Sequence, residues 1–219
     1  MNLAPYIQHT AIEVGLTRDD IVRHCEEAAE YGFNAAMIPA SWVPLAAEVL
    51  RGTGVAVASA LDFPIVGVMT SAGKAAEARA IAEAGADQLD MGVQVGWLRS
   101  GMEREFRDDI AGVVAAGIPV KVMLELPLLT PEQRERAVEL AMEAGAAYLK
   151  NASSGSVEIA SPESVSWLAA RVRDGVKVKA SGGIKSVEQA RALLDAGASL
   201  LGTSAGISLV KGETADASY

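Results

Sequence analysis

Glu83-Ala84-Gly85-Ala86-Asp87-Gln88-Leu89-Asp90-Met91-Gly92 holds the pattern on which the architecture is built. Its first half reads as a helix end closed by glycine, and its second half as a short apolar strand that follows at once. A glycine at a helix C-terminus takes the positive φ that other residues resist. An apolar run of four to six residues suits a parallel strand covered on both faces. The same junction recurs at Gly32 (EYGFNAAMI), Gly117 (AAGIPVKVML), Gly145 (EAGAAYLK) and Gly197 (DAGASLLG). Weaker copies stand at Gly52 to Gly54 and at Gly175. From Gly32 through Gly54, Gly85, Gly117, Gly145, Gly175 and Gly197 the spacings are 22, 31, 32, 28, 30 and 22 residues. Each interval holds one helix and one strand.

These junctions predict seven strands, and Tyr6–Ile12 supplies an eighth before the first helix. Helix starts carry the matching signals. Thr17 precedes Asp19 and Asp20, and Thr130-Pro131-Glu132-Gln133 reads as an N-cap, a proline at N1 and a capping-box glutamine. Ser161 and Ser186 open two more helices in the same way. Eight alternating units without a composition break predict a single (β/α)8 (TIM) barrel over residues 1–219. The polar tail 212–219 is expected to be flexible. An open doubly wound sheet is the alternative.

Composition narrows the function. The chain has 219 residues, half of them hydrophobic and only 5% aromatic, with a net charge of −9. That charge argues against nucleic acid and against anionic membranes. The one cysteine, Cys25, allows no internal disulfide, and the N-terminus MNLAPYIQHT lacks the pattern of a signal peptide. A cytoplasmic protein is therefore expected. Two histidines, His9 and His24, cannot make a three-histidine zinc site, and neither metal nor organic cofactor is expected.

The lysines point to chemistry. Of seven, Lys121, Lys150, Lys177 and Lys179 fall in predicted strands, whereas the arginines fall in helices and loops. A buried, unpaired ammonium costs several kcal/mol, as an order of magnitude, and tends to lose its proton. A neutral amine is the nucleophile of Schiff-base catalysis. Lys150 and Lys179 end consecutive strands, at the barrel face where active sites lie. Asp90 also ends a strand and is their natural partner. Lys121 and Lys177 lie earlier in theirs, where pairing with a strand acid or a place at the barrel rim is the ordinary expectation. Ser181-Gly182-Gly183 and Gly202-Thr203-Ser204-Ala205-Gly206 follow the seventh and eighth strands, where phosphate commonly binds in such barrels. GTSAG also matches a hydrolase nucleophile elbow, but no histidine follows it.

Across nearly its whole length the sequence resembles the deoxyribose-phosphate aldolase family. The stretches that carry the resemblance are IQHTAIE, SWVPLAAEVL, QLDMGVQVG, LLTPEQ, AAYLKNASSG, VKVKASGGI, LGTSAG and a terminal tyrosine. The resemblance implies a class I aldolase. Such an enzyme reversibly cleaves 2-deoxyribose 5-phosphate to acetaldehyde and glyceraldehyde 3-phosphate. It implies Lys150 as the Schiff-base lysine, Lys179 as the lysine that lowers its pKa, and Asp90 as proton relay. Tyr219 would assist proton transfer. Ser181, Gly182, Gly183, Gly202, Thr203 and Ser204, with Lys121 and Thr10, would hold the substrate and its phosphate. A small aldehyde or sugar phosphate is the expected partner, and a homo-oligomer, most simply a dimer, the expected assembly.

Departures from the family pattern fall at Gln8 (usually aspartate), Glu13 (lysine), Asp62 (glycine), Leu126 (threonine), and Asn151 and Ala152 (Thr-Ser), with Ser156 near the expected phosphate loop. They predict slower turnover of deoxyribose phosphate or a different acceptor. The alternatives are a Schiff-base aldolase with another donor or an unphosphorylated acceptor, and a non-catalytic sugar-phosphate-binding barrel.

Overall fold

Strands β1 (Ile7–Thr10), β2 (Ala35–Met37), β3 (Ala56–Leu61), β4 (Gln88–Gly92), β5 (Val120–Met123), β6 (Tyr148–Lys150), β7 (Lys177–Ser181) and β8 (Leu200–Thr203) pair in parallel, each with the next. β8 returns to β1 through the Gln8–Gly202 register, and the sheet closes. The computed structural model describes residues 1–216. Helices α1 (Arg18–Tyr31), α2 (Val43–Val49) and α3 (Ser71–Glu83) follow the first three strands. Two helices, α4 (Val95–Arg99) and α5 (Glu103–Val114), fill the β4–β5 interval. The circuit ends with α6 (Pro131–Glu143), α7 (Pro162–Ala169), α8 (Val187–Asp195) and α9 (Gly206–Lys211). This is the (β/α)8 barrel that the glycine spacing predicts.

The caps form as read. Thr17 and Asp20 make a reciprocal capping box, as do Thr130 and Gln133. Ser161 and Ser186 accept from the backbone N–H three residues on. The glycine junctions also hold, with one refinement. Only Gly32 is itself a C-cap; α3, α6 and α8 cap on Ala84, Ala144 and Ala196, and the glycine comes next. Gly197 (φ 108°) shows why glycine is needed: a Cβ there would stand 2.6 Å from the Ala169 Cβ of the preceding helix. Gly197→Ala is expected to destabilise the fold by about 2 kcal/mol, through strain and overpacking, in urea unfolding.

Alternation along the strands makes two cores. Residues such as Ile7, Val57, Leu89, Val122, Leu149 and Val178 face outward and pack under the helices. The inward set is apolar only on one side, where Ala35, Met37 and Ala58 cluster with Ile12, Ala56 and Ala60. Opposite them the interior is polar. Lys177, placed by sequence among the strand lysines, is exposed at the start of β7, because the first strand residue sits on the open N-terminal rim. It has no part in the interior.

Candidate active site

The site begins with register. Met123 pairs with Lys150, and Lys150 with Lys179, so the two lysines end neighbouring strands at the same height. Asp90 comes from β4, two strands before β6. Its Oδ2 accepts from Lys179 Nζ at 2.7 Å and from Lys150 Nζ at 3.2 Å. Lys121 Nζ lies 3.3 Å from Asp90 Oδ1, close enough for an ion pair but without hydrogen-bond alignment. All four residues are buried. Lys150 Nζ also approaches Met123 Sδ at 3.6 Å and the Ser153 carbonyl at 3.5 Å.

One carboxylate thus serves three lysines, and the electrostatics follow. Burial alone would raise the Asp90 carboxyl, but Lys179, Lys150 and Lys121 hold it well below the usual carboxylate range. Burial pushes Lys179 far below the ordinary lysine value; Asp90 opposes this, and Lys150 and Lys121 reinforce it. Lys121 is lowered for the same first reason, against the pull of Asp90. The interior therefore favours amines that can lose a proton beside an acceptor that stays ionised.

Above the lysines is a small well lined by Thr10, Ile12, Met37, Ala60, Phe63, Asp90, Met123 and Lys150. It opens beside a larger cleft of about 630 Å³. Ile12, Phe63, Pro64 and Ile159 give that cleft apolar walls, and Ser154, Gly155, Ser156, Gly183, Lys185 and Gln189 a polar one. The predicted phosphate residues divide. Gly183 lines the cleft. Ser181 lies beneath it, its hydroxyl donating to the Ala152 carbonyl at 3.1 Å. Gly182 (φ 110°) packs against the Glu158 carbonyl. Thr203 donates to the Ile184 carbonyl at 2.6 Å and accepts from the Ala205 N–H. Gly202 faces Ser181 in the β7–β8 register, and Ser204 follows β8. Thr10 borders the well. Tyr219 lies outside the described residues.

Several departures have structural explanations. Asp62 (φ 52°) gathers the Gly67, Val68 and Met69 N–H groups and pairs with Lys74 Nζ at 2.9 Å. It thereby ties down the loop that carries Phe63 and Pro64. Asn151 bridges to the Ser181 N–H and carbonyl at 3.0 Å each, fastening β6 to β7. Ser156 shares a 2.7 Å hydrogen bond with Ser154 at the cleft. Leu126 is buried away from the cleft, beside Arg134 and Trp167. Glu13 is exposed.

Sequence reading missed Lys74, Glu125 and Lys185. Lys74 is fully buried on α3 between Asp62 and Asp109, an ion-pair network with no strand signal to mark it. Glu125 is buried after β5 and accepts the Ser153 N–H at 2.7 Å, so it holds the residue whose carbonyl faces Lys150. Lys185 stood two residues beyond Gly183, and its nearness to the glycine turn was the available clue. His9 points outward and stacks on His24 at 4.2 Å between ring centroids. With Glu27 they are the one His/acid group close enough for a metal among the described residues. The near-parallel rings (16°) keep their in-plane lone pairs from meeting at one point. Burial first, then His24, lowers His9 to about 3, so the pair stays neutral near pH 7.

A closed (β/α)8 barrel with lysines gathered on one carboxylate at its C-terminal mouth defines a lyase of the aldolase class. The chain is 43% identical to a deoxyribose-phosphate aldolase of Methanothermobacter thermautotrophicus, over 96% of this chain and 94% of that protein. It is 41% identical to one of a Geobacillus species, over 100% and 99%. The deoxyribose phosphate aldolase of Aeropyrum pernix, described as a unique tetramer, superposes with a TM-score of 0.86 at 30% identity, covering 95% of this chain and 89% of that one. An aldolase designated QR15 superposes at 0.89 with 28% identity, over 96% and 95%. No family model matches. The chain belongs to the deoxyribose-phosphate aldolase family.

Proposed function

We propose that this chain is a class I aldolase that reversibly cleaves 2-deoxyribose 5-phosphate to acetaldehyde and glyceraldehyde 3-phosphate. The observation that carries the reading is the shared oxygen: Lys150 and Lys179 both donate to Asp90 Oδ2. In the synthetic direction the neutral Lys150 amine adds to acetaldehyde, and loss of water leaves an iminium. The iminium withdraws electrons from the neighbouring carbon, which gives up a proton and becomes an enamine. The enamine attacks the acceptor aldehyde, and hydrolysis frees the product and the amine. Lys179 keeps Lys150 from holding its proton, since two ammonium ions at one acceptor repel. Asp90 holds and returns protons between them. Tyr219 is assigned the final proton transfer.

The phosphate is assigned to the polar wall of the cleft, with Gly183 and Lys185 nearest the turn after β7. Ser181, Gly182, Gly202, Thr203 and Ser204 shape that turn from below. Lys121 and Thr10 complete the substrate pocket. The whole chain acts as one aldolase domain, and the mechanism needs neither metal nor cofactor. A cytoplasmic homo-oligomer, most simply a dimer, fits this reading. The Aeropyrum pernix relative is itself a tetramer. No helix among the described residues is long and apolar enough to cross a membrane.

The test is reductive trapping. Borohydride with acetaldehyde should add a two-carbon unit to the peptide that contains Lys150, and EDTA should not prevent it. Labelling elsewhere, or none, would overturn the assignment. A second reading has its own observation: Ile12, Phe63, Pro64 and Ile159 make half of the cleft apolar. It gives the enzyme an unphosphorylated, apolar acceptor aldehyde. A panel of acceptors with and without phosphate separates the two readings by kcat/KM.

A further inference from the structure

Beneath Asp90 the barrel interior continues as a chain of uncharged amides. Gln8, on β1, is fully buried. Its Nε2 donates to Asn34 Oδ1 at 3.0 Å and to Gln88 Oε1 at 2.7 Å. Its Oε1 accepts from Lys179 Nζ at 2.6 Å. An amide has two N–H donors, and both are committed here. That leaves the carbonyl oxygen facing Lys179 and fixes the orientation of the side chain. Lys179 is thus held between two acceptors, charged Asp90 and neutral Gln8.

Consider the charges that face Lys179 from every side. β6 contributes Lys150, β5 contributes Lys121 and β4 contributes Asp90. β8 runs Leu200–Thr203 and offers no titratable group. On β1, His9 faces outward to His24, so the inward group is Gln8. Among the described residues, Lys179 therefore shares one negative group with two other basic ones; Glu125, which acts on Lys150, is pushed toward its neutral form by burial, and the position that touches Lys179 most closely adds a hydrogen-bond acceptor without adding charge.

We propose that Gln8 is a positioning residue for this aldolase: its neutral carbonyl fixes Lys179 beside Asp90 without a second counter-charge, and so sets how acidic a solution the Lys150 amine can react in. The inference rests on the reading of Lys150 as the Schiff-base lysine. A carboxylate at position 8 would favour the protonated cluster, so the reactive amine would appear only at higher pH. An apolar group of the same length would leave the charge count unchanged but release Lys179 on one side.

The experiment measures borohydride trapping at Lys150 with acetaldehyde from pH 5 to 10, alongside kcat and KM, for the whole chain and for Gln8→Glu and Gln8→Met. In Gln8→Glu the trapping midpoint should rise by about one pH unit or more, so trapping below it falls ~10-fold. In Gln8→Met the midpoint should not rise, while kcat falls ~10-fold with KM changed less than about threefold. A Gln8→Glu midpoint within about 0.3 unit of the unmodified chain would overturn the proposal. So would a Gln8→Met protein with unaltered kcat. If Gln8→Glu does not fold, Gln88→Glu carries the charge on a less buried partner, and its midpoint must still rise, by a smaller amount. Absence of trapping in the unmodified chain at every pH would instead overturn the assignment of Lys150.

Discussion

Lys150→Ala is expected to lower kcat/KM for aldol cleavage by at least about 10⁴-fold, which is a barrier increase of ~5 kcal/mol. The reason is covalent. Without the amine there is no iminium, and nothing else at the bottom of the well can withdraw electrons from the substrate carbon in the same way. Lys150→Arg should lose as much, because a guanidinium stays charged and is no nucleophile at neutral pH. That second variant separates nucleophilicity from charge. If arginine restored even a hundredth of the activity, Lys150 would be acting as an electrostatic group. Stability should change little, since Asp90 keeps Lys179 and Lys121 as partners when Lys150 is removed. Steady-state kinetics and urea unfolding, run on the same preparations, check both expectations.

Asp90→Asn is expected to damage stability and catalysis together. The substitution keeps the volume and removes the carboxylate that all three lysines share. Breaking a buried pair by removing one partner costs about 3–5 kcal/mol. The cost should depend on pH, and its sign is fixed. The folded variant cannot hold its lysines protonated, whereas the unfolded chain can, so the unfolded state binds more protons at neutral pH. Stability must then rise with pH until the lysines of the unfolded chain also discharge, near their ordinary value of about 10.5. The gap between Asp90→Asn and the unmodified chain should narrow from pH 7 to pH 10 in urea titrations. A constant gap would mean that packing, not charge, is what Asp90 provides. Activity should fall by about 10²–10⁴-fold, the usual share of a positioned proton-transfer group.

Particular residues show why some of this was legible in the sequence. Gly85, Gly145 and Gly197 could be read because the turn out of each helix takes a positive φ (110°, 92° and 108°), and that constraint is local. Thr17, Thr130, Ser161 and Ser186 could be read because an N-cap acts within three residues of itself. Lys150, Lys179 and Asp90 stood out because charge at the end of a buried strand is costly unless it has a use. Lys177 lies in its strand as read, and its exposed place on the rim fits the structural rather than the catalytic reading. Lys74 went unseen because a helix position gives no hint that Asp62 and Asp109 will close over it. The glycine-rich turns around Ser181 and Thr203 could be read, whereas the carbonyl partners of their hydroxyls, supplied by other loops, could not.

The repeat is encoded locally: eight strands, their helices and caps, and the placement of amines at strand ends. These follow from period, glycine and capping, which act over a few residues. The meeting of groups far apart in the chain came from closure of the barrel. Asp90 and Lys179 are separated by 89 residues and share a 2.7 Å hydrogen bond; Gln8 and Lys179 are separated by 171 and share one of 2.6 Å. Only closure of β8 onto β1 brings Gln8 beside Lys179, and only the register of β4 to β7 sets three amines around a single carboxylate. Desolvation and Coulomb forces depend on those distances in space, and no spacing along the chain encodes them.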